Sequence, residues 1–247
     1  MKFKKIKMIS TLVLGGGVTI LSLGATGLTL HQVFADQYNK GNVLANMGLL
    51  QDRVENLILS VSEPNPDPLL ANETLIDRII RRGRLRVGVD PDNVPFSYYN
   101  ARGNLVGHDI DLVHRMAEDL GVELEFVPIN PLTLAEQISE DHFDLAASGF
   151  KMNLRAFGDA IYSLPYMNVN LALVAADHDR ERFASLSDLG TGSGLVLGVK
   201  NGSYFGRQIQ SILPDARLVQ LWSESQFFEG PPERMDALIT TAEGGSA

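Results

Sequence analysis

Two short stretches of this chain combine groups able to grip a small charged molecule. The first is "DPDNVPFSYYN", Asp90 to Asn100, which holds two acids, two prolines and three aromatics where a plain connection needs none of them. An acid such as Asp90 pairs with a cationic group, Asn93 adds an amide, and Phe96 and Tyr98 offer flat contact area at low entropic cost. The same residues also make an ordinary turn, in which Asp90 and Asp92 accept backbone N–H groups and Phe96 plugs the core. For Phe96 the core role is preferred; for Asp90 both roles stand. The second stretch is "KNGSYF", where Gly202, Ser203 and Tyr204 run into a helical pattern. Their N–H groups lie at a helix N-terminus, where anions bind, and Lys200 adds positive charge. Ser203 as a helix cap is compatible with such contact.

Other chemistries find little support. His31, His108, His114, His142 and His178 are scattered, and none pairs with an acid at metal-ligating spacing, so no metal site is expected. The chain has no cysteine, which excludes disulfides, Cys-ligated zinc and a thiol nucleophile. Asp109 and Asp111 resemble a carboxylate pair, but alternate positions at a helix start point apart, and capping by Asp109 is the better account. "GTGSG" at 190–194 precedes a strand, whereas phosphate loops precede helices. Neither a catalytic residue nor a cofactor is therefore assigned.

These candidates must be positioned by the rest of the chain. Its 247 residues, 45% hydrophobic and 21% charged, suit one or two globular domains with a sizeable core. Lys2, Lys4, Lys5 and Lys7 crowd the N-terminus, so the body is more acidic than the net charge of -9 implies. An acidic body repels nucleic acid, and that partner is excluded. Met8 to Leu30 carries no charge and is long enough to cross a bilayer, with lysines before it and Asp36 after it. Residues 1–36 read as a retained transmembrane anchor in preference to a cleaved signal, and either way the remainder is exported.

Residues 37–75 read as a juxtamembrane segment. Helical spacing of Leu44, Met47, Leu50, Val54, Leu57 and Ile58 predicts an amphipathic helix over 37–60, and "SEPNPDPLLANET" predicts a stiff linker. Thr74 or Asn72 caps "LIDRIIRR", which Gly83 stops. Strands then alternate with helices: "LRVGV", a helix over 109–120, "ELEFVPI", "PLTLAEQISE", "FDLAASG", "NLALVAA", "LVLGV", "SYFGRQIQSIL", "RLVQL", "SQFFEGPPERM" and "DALITTA". That alternation predicts an α/β fold with parallel sheets, whose ligands sit beyond the carboxyl ends of the strands.

The ordered set "LRVGVDPDNVPFSYYNARGNLVGHDIDL", "FDLAASG", "YSLPYMNVNLALV", "SLSDLG", "GVKNGSYF" and "DALITT" resembles the family 3 extracellular solute-binding proteins, periplasmic receptors for amino acids and other small polar solutes. The resemblance spans residues 76–247 and implies a two-lobed, periplasmic-binding-protein-like (type II) α/β fold that closes by a hinge. It implies lobe 1 at 76–175 and lobe 2 at 176–247, with a crossover near Ala175–His178. In the family the chain returns to the first lobe; this one stops at "AEGGSA", so a C-terminally incomplete fold, preceded by one transmembrane helix, is expected. With the membrane segment, "RRGRLRVGVDPDN" and "TTAEGGSA" are also similar to fusions of such a receptor to a dicarboxylate/amino-acid:cation symporter; a stand-alone anchored receptor is the alternative.

The resemblance further implies that Ser148, Gly149, Phe150 and Lys151 offer donors to a solute carboxylate. The family's clamping arginine is displaced: Ala156 takes its place and Arg155 lies one residue early, so either Arg155 or Lys151 supplies the charge. The aspartate that holds an α-ammonium in the family is Thr241 here, with Glu243 as a substitute. The expected function is extracytoplasmic binding of an amino acid or dicarboxylate at the bacterial inner membrane, serving a fused or separate transporter. A membrane sensor domain and a cyclohexadienyl-dehydratase-like enzyme are the rivals.

Overall fold

The structure, a computed structural model, describes residues 40–50, 54–152, 160–230 and 234–246. Its first helix, α1, is Lys40–Asn46. The next, α2 (Leu75–Arg82), starts and stops on side-chain chemistry. The Asp77 N–H donates to the Thr74 hydroxyl at 3.2 Å, the Thr74 N–H donates back to the Asp77 carboxylate at 3.0 Å, and Gly83 ends the helix at φ 71°. Of the two expected caps, Thr74 is the one used.

Strands β1 (Asn56–Ile58), β2 (Arg84–Val89), β6 (Glu123–Pro128) and β7 (Leu145–Ala146) form one sheet in the order β1-β6-β2-β7, with every neighbour parallel. Between β2 and β6 in sequence, β3 (Asp92–Asn93), β4 (Ser97–Tyr99) and β5 (Leu105–Val106) make a small antiparallel meander, and "NARGN" is the turn joining β4 to β5. Helices α3 (His108–Leu120) and α4 (Leu134–Ser139) complete the first lobe. A second sheet contains β8 (Leu171–Ala175), β9 (Val196–Lys200), β10 (Arg217–Leu221) and β11 (Ala237–Thr241) in the order β10-β9-β11-β8. It is parallel except where β8 meets β11. Around it lie α5 (Phe205–Ile212), α6 (Ser225–Phe228) and α7 (Ala242–Gly245).

Each sheet has its own apolar core. Leu85, Val87, Leu124 and Phe126 bury against Ile110 and Val113 of α3, while Leu197, Val199 and Ile239 bury against Ile209 and Leu213. Full burial of such a side chain contributes roughly 1.5–3 kcal/mol. β2 (RLRVGV) and β6 (ELEFVP) are apolar only in their carboxyl-terminal halves; in their first halves charged residues alternate with Leu85 and Leu124, and Arg86 and Glu125 are buried as a pair.

Several expectations are corrected. The helix over 37–60 gives way to α1 and then to β1, whose residues Asn56, Leu57 and Ile58 pair with Leu124, Glu125 and Phe126. An open β6 edge offers backbone hydrogen bonds that outweigh a weak helical pattern. The proline-rich stretch is docked rather than free. Its carbonyls, which have few N–H partners nearby, accept from buried arginines: Arg86 donates to Pro64 at 3.3 Å and to Glu63 at 3.1 Å. Asp109 is not the cap of α3; Gly107 is, at φ 132°, and Asp109 lies inside the first turn. Only Ser225–Phe228 of "SQFFEGPPERM" is helical among the described residues. Strand β8 belongs to the second sheet, ahead of the expected crossover. No helix among the described residues is long and apolar enough to cross a membrane, and the expected span at Met8–Leu30 lies outside them.

The first lobe is tied together by a buried ionic knot. Asp144, just before β7, takes an ion pair from Arg78 at 2.8 Å, another from Arg82, and the Arg86 backbone N–H at 2.8 Å, while Arg86 also pairs with Glu125 at 2.9 Å. Arg78 and Arg86 are each 2% exposed. Removing one member of such a knot strands uncompensated charge in the interior. Asp144→Ala should therefore destabilise the domain by about 3–5 kcal/mol in urea unfolding, whereas Glu73→Ala, at the surface pair with Arg81, should shift the urea midpoint far less.

Candidate functional site

The Asp90–Asn100 loop leaves β2 at its carboxyl end and turns around Phe96, which is 2% exposed. Two glycines make room for it. A Cβ on Gly107 would lie 2.3 Å from the Phe96 carbonyl oxygen, and one on Gly149 would lie 2.4 Å from the Phe96 ring, so both positions need a bare backbone. Phe96 is thus the core plug expected, yet its ring also faces an open space.

That space is a cavity of about 320 Å³ between the lobes. Phe96 and Gly149–Met152 wall it from the first lobe, Tyr204, Phe205 and Gln208 from the second, and the segment 162–169 closes a further side. Lys151 reaches into it with its ammonium 5.1 Å from the centre of the Phe205 ring and 5.9 Å from that of Phe96. Burial pulls the Lys151 pKa below its ordinary value, although Glu224, Asp90 and Glu243 pull it upward. Among the described residues it has no hydrogen-bond acceptor.

Next to the cavity the lobes are bound directly. The Lys200 ammonium, at the end of β9, lies 2.9 Å from the Asp90 carboxylate and 3.0 Å from that of Asp92. Ser223 donates to Asp92 at 3.2 Å. Burial depresses the Lys200 pKa, but the two carboxylates outweigh it and leave the pKa raised. Glu224 is raised chiefly by burial, against the opposing effect of the Thr240 hydroxyl, which donates to its carboxylate at 3.0 Å.

A third cluster sets the wall geometry. Asp109, 0% exposed, accepts from the Gly149 N–H at 2.6 Å and from the Tyr166 hydroxyl at 2.8 Å, with His108 Nδ1 at 3.0 Å. His108 stacks on the Tyr166 ring. Burial and the Asp109 bond push the Tyr166 hydroxyl pKa up. One carboxylate thereby joins two stretches of the cavity wall.

Of the residues singled out in sequence, Phe96, Gly149, Phe150, Lys151 and Tyr204 come together around the cavity. Others are engaged elsewhere. Ser148 is 0% exposed, its hydroxyl taken by the Asp90 N–H at 2.8 Å and by Ser97 at 2.8 Å. The Gly149 N–H, expected to meet a solute, is spent on Asp109. Asn93 donates to the Ser148 carbonyl. Tyr98 points toward Met47, because strand alternation turns it away from the cleft. Gly202 packs on Pro131; Ser203 accepts from the Phe205 N–H at 3.3 Å, but the cap of α5 is Tyr204, not Ser203. Thr241 caps α7 through the Gly244 N–H at 2.9 Å. Asp90 and Lys200 pair with each other rather than lining the cavity. Glu243 keeps one buried carboxylate oxygen without a hydrogen-bond partner, outside the cavity wall. Arg155 lies outside the described residues.

Asp109, Tyr166, Phe205 and Glu224 were missed. Nothing in the local sequence separates Asp109 from a helix cap, and Tyr166 and Glu224 meet their partners only through long-range folding. Among the described residues no cluster of His, Cys, Asp and Glu suits a metal ion.

Asp109→Asn should weaken the domain by about 1.5–3 kcal/mol, the worth of hydrogen bonds to a charge, in urea unfolding. The Lys200 pair has a defined pH sense. Its pKa is higher in the folded chain, so its contribution is whole below the ordinary value of 10.5 and is lost as pH rises through the folded value. Lys200→Met should lower the thermal midpoint near neutrality, and the gap from wild type should shrink above pH 10.5.

Residues 85–225, more than half of the chain, match the bacterial extracellular solute-binding proteins, family 3. Similar curated proteins include the cyclohexadienyl dehydratase of Pseudomonas aeruginosa, 36% identical over 121 residues that make up 49% of this chain and 45% of that one. Among solved structures, the ancestral amino acid-binding protein AncCDT-1, a precursor of cyclohexadienyl dehydratase, aligns at a TM-score of 0.64 with 28% identity, over 68% of this chain and 74% of that one. A mutant of ArgBP from T. maritima aligns at 0.61 with 27% identity, over 69% and 73%. The chain spans about half the length of the curated relatives it matches. With its two α/β sheets and the cavity between them, the chain belongs to the bacterial extracellular solute-binding proteins of family 3.

Proposed function

We propose that this chain is an extracytoplasmic binding domain that closes by hinge motion on a small polar solute, an amino acid or a dicarboxylate, and delivers it to a membrane transporter. The observation that carries the reading is a cavity walled from both lobes, with the Lys151 ammonium inside it lacking a hydrogen-bond acceptor among the described residues. Lys151 is partly buried, and a solute carboxylate would give its ammonium the charged hydrogen bond that the described residues do not. Phe96, Phe150 and Tyr204 would supply contact area, and the Lys200 pair with Asp90 and Asp92 would favour the closed form in which the solute is enclosed. The first sheet and its helices, from β1 to β7, and the second, from β8 onward, would be the two lobes, and Met8–Leu30 would anchor the domain at the inner membrane. A sensor domain would use the same cleft and differ in what it is joined to.

A second reading, a dehydratase-type enzyme, is favoured by one feature besides the named Pseudomonas relative. Glu224 is a desolvated carboxyl of raised pKa near Lys151, the kind of group that can hold a proton for transfer.

A thermal-shift screen of the full chain against the amino acids and small dicarboxylates tests the binding reading. A true solute at a hundred times its Kd should stabilise the domain by about 2.7 kcal/mol, and a flat response to every compound would sink the reading. Lys151→Ala should weaken the best acid by about 1.5–3 kcal/mol in calorimetric titration. Incubation with prephenate, a cyclohexadienyl acid, should leave it unchanged; loss of water from it would replace binding by catalysis.

A further inference from the structure

Resting on the solute-binding reading, we propose that the solute is an organic carboxylate with an uncharged, mostly apolar body and no ammonium group. The cavity wall is asymmetric in charge. Among the described residues that line it, Lys151 is the only charged side chain, and no carboxylate is present. Its other surfaces are mostly aromatic or aliphatic, with Phe96, Met152, Leu164, Met167 and Phe205 among them, and its remaining polar groups, such as Ser163, Asn168 and Gln208, are uncharged. Among the described residues a guest therefore meets one cation, several apolar walls and no anion.

The acids nearby lie outside that wall, and all but Glu243 are engaged within the chain. Asp90 and Asp92 close on Lys200. Asp109 is enclosed by the Gly149 N–H and the Tyr166 hydroxyl, and Glu224 by the Thr240 hydroxyl. Glu243 retains a free oxygen but does not reach the wall. A solute ammonium would lose its water on entry and find no carboxylate on the described wall to replace it, a penalty that selects against zwitterions and cations. A solute carboxylate would gain the Lys151 ammonium, which the Phe96 and Phe205 rings hold in place.

The discriminating experiment uses three compounds that share one body and differ in charge: 3-phenylpropionate, L-phenylalanine and 2-phenylethylamine, with L-arginine as a fourth. Affinities for the full chain are measured by calorimetric titration. The expected result is that 3-phenylpropionate binds about tenfold or more tightly than L-phenylalanine, with the two cations weaker still. Lys151→Met should cost 3-phenylpropionate about tenfold, and Lys151→Arg should restore part of it. Tighter binding of L-phenylalanine or L-arginine than of 3-phenylpropionate would overturn this inference and leave the solute-binding reading intact. Loss of that L-phenylalanine affinity in Glu243→Gln would then identify Glu243 as the ammonium anchor. No binding of any of the four would overturn the inference, and a flat response to the wider amino-acid and dicarboxylate screen would bring down the parent reading as well.

Discussion

Lys200 of the second sheet stands between Asp90 and Asp92 of the first, and the relation between the lobes follows from that contact. A partly buried ammonium would be strongly disfavoured alone, since the energy of taking it out of water exceeds what apolar neighbours return. Two carboxylates at ion-pair distance reverse the balance, and the raised Lys200 pKa records it. The arrangement needs both lobes at once: the cation ends β9, whereas the acids belong to the loop leaving β2. Ser223 adds a hydrogen bond to Asp92 from the same side.

The loop that supplies those acids is itself overdetermined. Its carbonyls and N–H groups are consumed by Ser97 and Ser148, its Asn93 amide by the Ser148 carbonyl, and its Phe96 by space that Gly107 and Gly149 leave open. A loop pinned at so many points can present an aromatic wall and a pair of charges without paying for their ordering when a ligand arrives. Asp109 extends the same logic to the opposite wall, joining Gly149 to Tyr166.

These networks also reassign roles within the family pattern. Positions expected to donate to a solute, notably Ser148 and the Gly149 N–H, are satisfied inside the protein. Positions with no obvious chemistry, such as Phe205 and Tyr166, become cavity walls. Lys151 is left as the charged side chain among the described lining residues, with Glu224, Asp90 and Glu243 near enough to favour its charged form.

Local chemistry determined much of this protein. The Thr74 cap, the Gly83 stop, the strands β2, β6 and β9, and the turn at Asn100–Asn104 follow from side-chain size, backbone freedom and periodicity over a few residues, and they are where the sequence predicts them. Phe96, Lys151 and Tyr204 were singled out in the sequence and line the cavity, Tyr204 from its place beside a helix start, Lys151 from the family resemblance and Phe96 chiefly as a core plug. Tertiary structure alone decided the rest. Whether Asn56–Ile58 becomes helix or strand depends on an open β6 edge more than sixty residues away. Whether Asp109 caps a helix or grips Gly149, and whether Asp90 awaits a ligand or holds Lys200, depends on which distant donor arrives first within hydrogen-bonding reach. Short-range preferences cannot encode such choices, because the competing partners are equivalent in chemistry and differ only in where the folded chain brings them.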